Sequence, residues 1–448
     1  MTTSPNPYLS GNFAPVREEV TAFDLRVSGE IPRELNGRLL RIGPNPVEPP
    51  DPATYHWFLG NGMVHGVRLR DGRAEWYRNR FVRDDAVTAA KGWPRTPGPR
   101  HGFGSGVANT NVIAHAGRIW AIVEAGGLPV QLDDELETVA YSNFDGTLPG
   151  SFTAHPKRDP DTGELHAMVY YPLWDYVQYV VVGVDGRVRK TVNVPVPGKP
   201  MLHDCAITER YMVVFDLPCI FKPENLQSGR SSFPYAWDPD YGARVGLLPR
   251  DDDDASRIRW FEVPLCYVFH PLNAYETADG QVVLDVCRHP KMFASDLNGP
   301  NEGRPTLDRW VIDPSSGKVS ADTISDRGHE FPRHDERRIG KPIRYGYTGG
   351  LGDALGLGPI YKHDLVRGTT EVHGGPGRMF LEPVFVPRTP DAAEDDGWIL
   401  AYVYDAPSAA SEVVILHAQD FTGEPLARIH LPQRVPFGFH GNWVPDEA

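Results

Sequence analysis

Asp-Gly pairs recur at Asp71-Gly72, Asp145-Gly146, Asp185-Gly186 and Asp279-Gly280, each beside a short β-branched and aromatic run. Asp-Gly is a favoured filling for a two-residue hairpin turn, whose central residues take positive φ. The neighbouring runs fit strands at 63–69, 118–123, 167–171, 176–184, 211–217, 281–286, 398–404 and 413–416. No segment keeps a helical period for more than about 12 residues. The 45 glycines and 43 prolines are spread along the chain, and no break in composition divides its 448 residues. An all-β architecture is expected, with residues 1–448 forming one domain. A sandwich rarely needs this length, whereas a β-propeller accommodates it. Seven blades would average about 64 residues, against roughly 40 to 50 in repeat propellers. No WD-type signature is present, so any repeat is structural. Loops are expected at 92–99, 221–254 and 349–358, and long insertions on one face could cap an axial site.

The formal charge of -14 argues against a nucleic-acid partner, because phosphate binding needs clustered lysine and arginine. Cys205, Cys219, Cys266 and Cys287 show no C-x-x-C spacing and read as reduced core residues of a cytoplasmic protein. The polar start of the chain lacks a charged-then-apolar signal pattern. No apolar run reaches about 18 residues, so no spanning helix is expected; peripheral membrane contact through an apolar patch stays open. The Asp251 to Asp254 run reads as a solvated loop tip, with calcium binding the weaker alternative.

Two motifs are decoys. His329-Glu330-Phe331-Pro332-Arg333-His334 spaces its histidines five apart, and Pro332 would break the helix that a zinc-protease motif requires. Gly350-Leu351-Gly352 with Gly356 lacks the strand and helix of a dinucleotide loop. No G-x-S-x-G elbow occurs. Among the sixteen histidines, His155, His203, His270 and His440 each follow apolar residues at a strand edge. His440 stands out, because Phe437-Gly438-Phe439-His440-Gly441-Asn442-Trp443 is apolar and glycine-flanked where chain ends are usually polar. Two readings stand side by side for it: a core histidine in a last strand, or the closing ligand of a metal site. The separations of 48, 67 and 170 residues are compatible with ligands drawn from different blades.

An ordered set of motifs covers nearly the whole chain: Leu35-Asn36-Gly37-Arg38 through Pro46, Gly60-Asn61-Gly62-Met63-Val64-His65-Gly66, and Ala108-Asn109-Thr110-Asn111. The four histidine contexts, Glu330-Phe331-Pro332-Arg333 and Glu382-Pro383-Val384-Phe385 complete it. Together they resemble the carotenoid cleavage oxygenases. The resemblance implies a seven-bladed β-propeller with a loop and helix dome over an axial ferrous ion, one per chain. It implies His155, His203, His270 and His440 as ligands and Glu124, Glu330 and Glu382 behind them. Carboxylates accepting the second N–H of each imidazole would fix its tautomer and offset the charge of the ion. Four nitrogens on an octahedral ion leave two positions for dioxygen or water, and Thr110 matches a small side chain that crowds one of them.

The implied activity is oxidative cleavage of a conjugated carbon–carbon double bond of a carotenoid or apocarotenoid with dioxygen, giving two carbonyl products. A hydrophobic small molecule of that kind needs an apolar tunnel, and Phe58, Phe103 and Phe269 are candidate lining residues. Cleavage of phenolic stilbenes is the rival. That branch of the family is expected to carry a lysine just before the first glutamate, where this chain has Val123. A non-catalytic carotenoid binder and an isomerohydrolase are further alternatives.

Overall fold

The computed structural model describes residues 6–102, 106–229, 231–351 and 357–446. Seven antiparallel sheets form the blades of a propeller. Blade I holds Thr21–Phe23, Arg73–Phe81, Gly62–Arg70, Gly37–Pro44 and Gly441–Pro445, in that spatial order. Blade II runs from Asn111–His115 to Thr138–Tyr141 and blade III from Lys157–Arg158 to Val188–Pro195. Blade IV comprises Cys205–Ile207, Tyr211–Asp216, Arg244–Pro249 and Arg259–Glu262. Blade V runs from Tyr267–Glu276 to Lys318–Ser325 and blade VI from His329–His334 to Thr369–His373. Blade VII is built on Gly397–Asp405, which pairs with Arg378–Phe380, Val384–Pro387 and Ala410–His417.

Closure is made at both ends of the chain. The last strand, Gly441–Pro445, pairs with Gly37–Pro44 in a register that sets Leu40 opposite Asn442 and Arg41 opposite Gly441. Val27–Gly29, near the start, pairs with Ala427–His430 on the outer edge of blade VII. Gly43 and Gly438 make the approach to the last strand close: a Cβ on Gly43 would lie 2.5 Å from the Gly438 Cα. Sequence-distant segments thereby share one ring and leave its blades no open seam.

Three of the Asp-Gly pairs sit in hairpin turns between paired strands. Asp71 and Gly72 take φ of 49° and 75° between Gly62–Arg70 and Arg73–Phe81. Asp279-Gly280 turns Tyr267–Glu276 into Val282–His289. Asp185-Gly186 turns Tyr176–Val182 into Val188–Pro195 in blade III through a connection of the same length and hydrogen bonding as that at Asp279-Gly280. Asp145-Gly146 departs from the expectation: it lies beyond the last strand of blade II, in a loop where Asn143 Oδ1 accepts from Gly146 N at 2.9 Å.

Two loop expectations also change. Within 221–254, Arg244–Pro249 is an integral strand of blade IV, and the rest includes a ribbon of Cys219–Phe221 with Tyr235–Trp237. Strands Tyr345–Leu351 and Leu357–Asp364 take up both ends of 349–358, while 352–356 lie outside the described residues. The dome consists of loops with short helices. Asp85–Lys91 starts at Asp84, whose Oδ1 accepts from Val87 N at 2.8 Å, and stops at Gly92 with φ of 67°. No helix among the described residues is long and apolar enough to cross a membrane.

Candidate metal centre

The strands that open blades II to VI, together with Val384–Pro387 and Gly441–Pro445, supply the residues at the axis. Most neighbouring pairs of these seven strands are in direct contact. Thr110, His155, His203, Glu382 and His440 each stand one or two residues ahead of such a strand, and His270 and Glu330 lie inside theirs. One position per blade thus reaches the axis. A proline follows closely at four of them: Pro156, Pro271, Pro332 and Pro383. Proline cannot donate to a ladder, and the pairing register shifts around His270 and again between Glu330 and Arg333. Such bulges re-aim side chains off the sheet. Phe331, inside the second one, takes φ of 51°, a costly conformation for a bulky residue that is held by the surrounding pairing.

The four histidines are brought together. One ring nitrogen from each of His155, His203, His270 and His440 lies within 4.8 Å of all the others, and all four residues are buried. His203 Nδ1 is 2.8 Å from Glu124 Oε1, His270 Nδ1 is 2.5 Å from Glu330 Oε2, and His440 Nδ1 is 3.0 Å from Glu382 Oε1. A carboxylate at Nδ1 places the proton there and leaves Nε2 as a lone pair. His203 Nε2 and His270 Nε2 then face each other at 3.2 Å. Two lone pairs at that distance repel unless a cation lies between them. Nitrogens bound at right angles to one first-row ion at about 2.1 Å are about 3 Å apart. His155 Nε2 is buried without a hydrogen-bond partner. The donor set therefore fits a divalent metal ion.

Electrostatics agree with neutral imidazoles at three positions. Burial pushes His155 well below its ordinary value, and the other three histidines push the same way. Burial also lowers His270 and His440, against the opposing charges of Glu330 and Glu382. His203 differs: burial pulls it down, but the charge and hydrogen bond of Glu124 outweigh this and its net direction is upward. Burial would raise Glu382, yet the Arg333 charge and the contacts with His440 and Gly441 N hold it at about 2. For Glu330 burial likewise opposes ionisation and is overcome by His270 and His289.

The sequence reading missed two members of this network. His289, at the end of its strand in blade V, places Nε2 2.7 Å from Glu330 Oε1, so one carboxylate serves two imidazoles. Arg333 reaches Glu382 at 3.3 Å and donates to Gly441 O and Asn442 Oδ1, both at 2.9 Å. His289-Pro290 repeats the histidine-proline pairing of the axial positions, and that was the available signal.

Above the ring lies a cavity of ≈ 780 Å³, within the usual range for small-molecule sites. Its floor includes His203, His270, His440, Glu124, Glu330 and Thr110. Its walls are mainly apolar and rich in aromatic side chains, with Asp84 and Asp85 also at the border. Phe58 stands 5.4 Å from Phe439 and 6.0 Å from Phe269, ring centre to ring centre. Phe58 and Phe269 both line the space, and Phe103 lies outside the described residues. Val123 lines it too, beside Glu124. Thr110 Oγ1 donates to Asn109 Oδ1 at 2.9 Å, and its carbonyl accepts from His440 N at 3.2 Å. The hydroxyl is committed to Asn109, while the residue still borders the cavity.

The comparisons with known proteins agree with this architecture. Residues 13–445 match the family model RPE65, retinal pigment epithelial membrane protein. The chain is 47% identical to a carotenoid cleavage oxygenase of Mycobacterium tuberculosis, with 99% of this chain and 98% of that one aligned. Among solved structures, lignostilbene dioxygenase of Pseudomonas brassicacearum superposes with a TM-score of 0.87 at 29% identity, covering 98% of both chains. The cobalt-substituted ACO of Synechocystis gives 0.86 at 28%, covering 99% of both. The chain belongs to the carotenoid cleavage oxygenase family and is an enzyme of that class.

Proposed function

We propose that the protein is a non-haem iron(II) dioxygenase that cleaves a conjugated double bond of a carotenoid or apocarotenoid, using dioxygen and releasing two carbonyl products. The observation that carries this reading is the buried four-imidazole ring, three members of which, His203, His270 and His440, border a cavity rich in aromatic side chains. His155, His203, His270 and His440 would hold the ion, which supplies dioxygen activation when bound. Four neutral donors select a borderline metal such as ferrous iron over hard cations, which favour oxygen ligands. Glu124, Glu330 and Glu382 keep three of the imidazoles in the Nε2-donor tautomer, and Thr110 borders the space beside them.

The remaining work falls to the cavity. Phe58, Phe269 and Phe439 offer faces and edges to a polyene. A rigid apolar wall aligns a chosen double bond above the ring and excludes water. Val123 beside Glu124 provides no charge for a phenolate, which favours an apolar polyene over a hydroxystilbene. Residues 1–448 act as one unit in this reading, because the closing strand carries a ligand. Metal analysis of the purified protein should find about one iron per chain. His203→Ala should abolish both iron and turnover, and full activity in that variant would sink the four-histidine assignment. Incubation with a carotenoid, an apocarotenal and a hydroxystilbene, with products read by mass, tests the substrate class.

A further inference from the structure

The histidine ring has a second side. Beneath it lies a separate chamber of ≈ 460 Å³, bordered by His155, His270 and His440 but otherwise unlike the cavity above. Adjacent residues of the inner strands face opposite ways: Thr110 and Phe331 border the upper space, whereas Asn111 and Pro332 border the lower one. His155 borders only the lower chamber of the two.

The chamber mixes apolar side chains with charged ones, more of the latter than the cavity above, and reaches solvent. Glu336, with its side chain 54% exposed, stands at the rim and pairs with Arg333 at 2.6 Å. Asp335 is bound by Arg337 at 2.6 Å. Asp204, buried beside the ring, is held by Lys157 at 2.8 Å. His334 is the exception. It is buried and borders the chamber, and its Nε2 has no hydrogen-bond partner. A buried imidazole nitrogen left free is costly relative to a bonded one, and it is a metal donor.

We propose that the lower chamber is the route by which the divalent ion reaches the ring, with His334 as a transient donor on the way. The inference rests on the reading of the four histidines as a metal site. The upper cavity also borders Asp84 and Asp85, but Phe58, Phe269 and Phe439 surround its approach to the ring, where a hydrated dication would exchange water for apolar contacts. The lower chamber keeps polar groups beside the ion from the rim at Glu336 to His155. The passage also leaves the dome free, so that loading and substrate entry use opposite faces.

The test is metal-loading kinetics on the apoprotein. Cobalt(II) is a suitable probe, since a relative of this fold has been obtained in cobalt-substituted form. Its visible absorption is followed after mixing, and the final cobalt per chain is measured separately. His334→Leu should slow loading by about 10-fold, and Glu336→Gln at the rim by about 2- to 5-fold, with the final stoichiometry unchanged. Filling the dome of the wild-type apoprotein with a long-chain polyene should leave the rate unaltered. Wild-type rates in both variants, or a polyene that blocks loading, would overturn the lower route. Failure of the wild-type protein to take up cobalt at all would overturn the metal reading beneath it, a distinct result.

Discussion

His203, His270 and His440 each have a carboxylate at Nδ1, whereas His155 has none within hydrogen-bond distance. The nearest acid to His155 is Asp204, 3.8 Å away and committed to Lys157. The braces come from other blades: Glu124 follows a strand of blade II and serves His203 of blade IV. Glu330 of blade VI serves His270 of blade V, and Glu382 of blade VII serves His440 at the entry to blade I. Each brace is therefore also a tie between sheets, and the ring is made rigid by the closure that shapes the propeller. His155 lacks such a tie and is placed by packing, with Pro156 behind it. A preformed site of this kind suits a weakly binding ion, whose selection depends on geometry more than affinity.

Removing a whole tie should do the most damage. Deletion of residues 437–448 takes away His440, the partner of Glu382, and the strand that closes blade I. The expected result is no bound iron by metal analysis, together with a large fall in thermal midpoint by circular dichroism. Iron retained at one per chain would show that three histidines suffice and that His440 is a core residue.

A brace cut without removing its histidine should cost less. Glu330→Gln keeps the shape but not the charge shared by His270 and His289. Loss of such an outer-shell partner typically weakens metal binding by about 10- to 100-fold. Competition with a chelator of known affinity measures the change. An affinity equal to wild type would reduce the braces to ties between blades.

How much of this was legible in the sequence depends on distance along the chain. Asp71-Gly72 and Asp279-Gly280 specify their hairpins locally, so the strands around them could be read directly. Arg244–Pro249 was misread as loop because Gly246 and Pro249 interrupt its pattern. Gly246 makes room there for the Trp260 ring, 2.8 Å from where a Cβ would lie, a contact that local sequence does not reveal. The histidines were found through their matching contexts, since no spacing rule links residues 48, 67 and 170 apart. His289 escaped because its role exists only once Glu330, 41 residues later, is brought beside it. The prolines after the axial residues were visible, but their meaning as bulge markers needed the strand pairing.

The smallest effect is expected at the unbraced ligand. If His155 is held by packing alone, Asp204→Asn should change metal affinity by less than about 3-fold, well below the loss expected when a true outer-shell partner is removed. The same substitution leaves Lys157 a neutral amide oxygen in place of a charged partner in a partly buried site. Stability should therefore fall by about 1–3 kcal/mol, the scale of a hydrogen bond to a charged group. The two readouts separate the roles: chelator competition reports the ring, and denaturant unfolding reports the Lys157 pair. A 10-fold or greater loss of metal affinity in this variant would make Asp204 a fourth brace acting across 3.8 Å, and the distinction between the histidines would disappear.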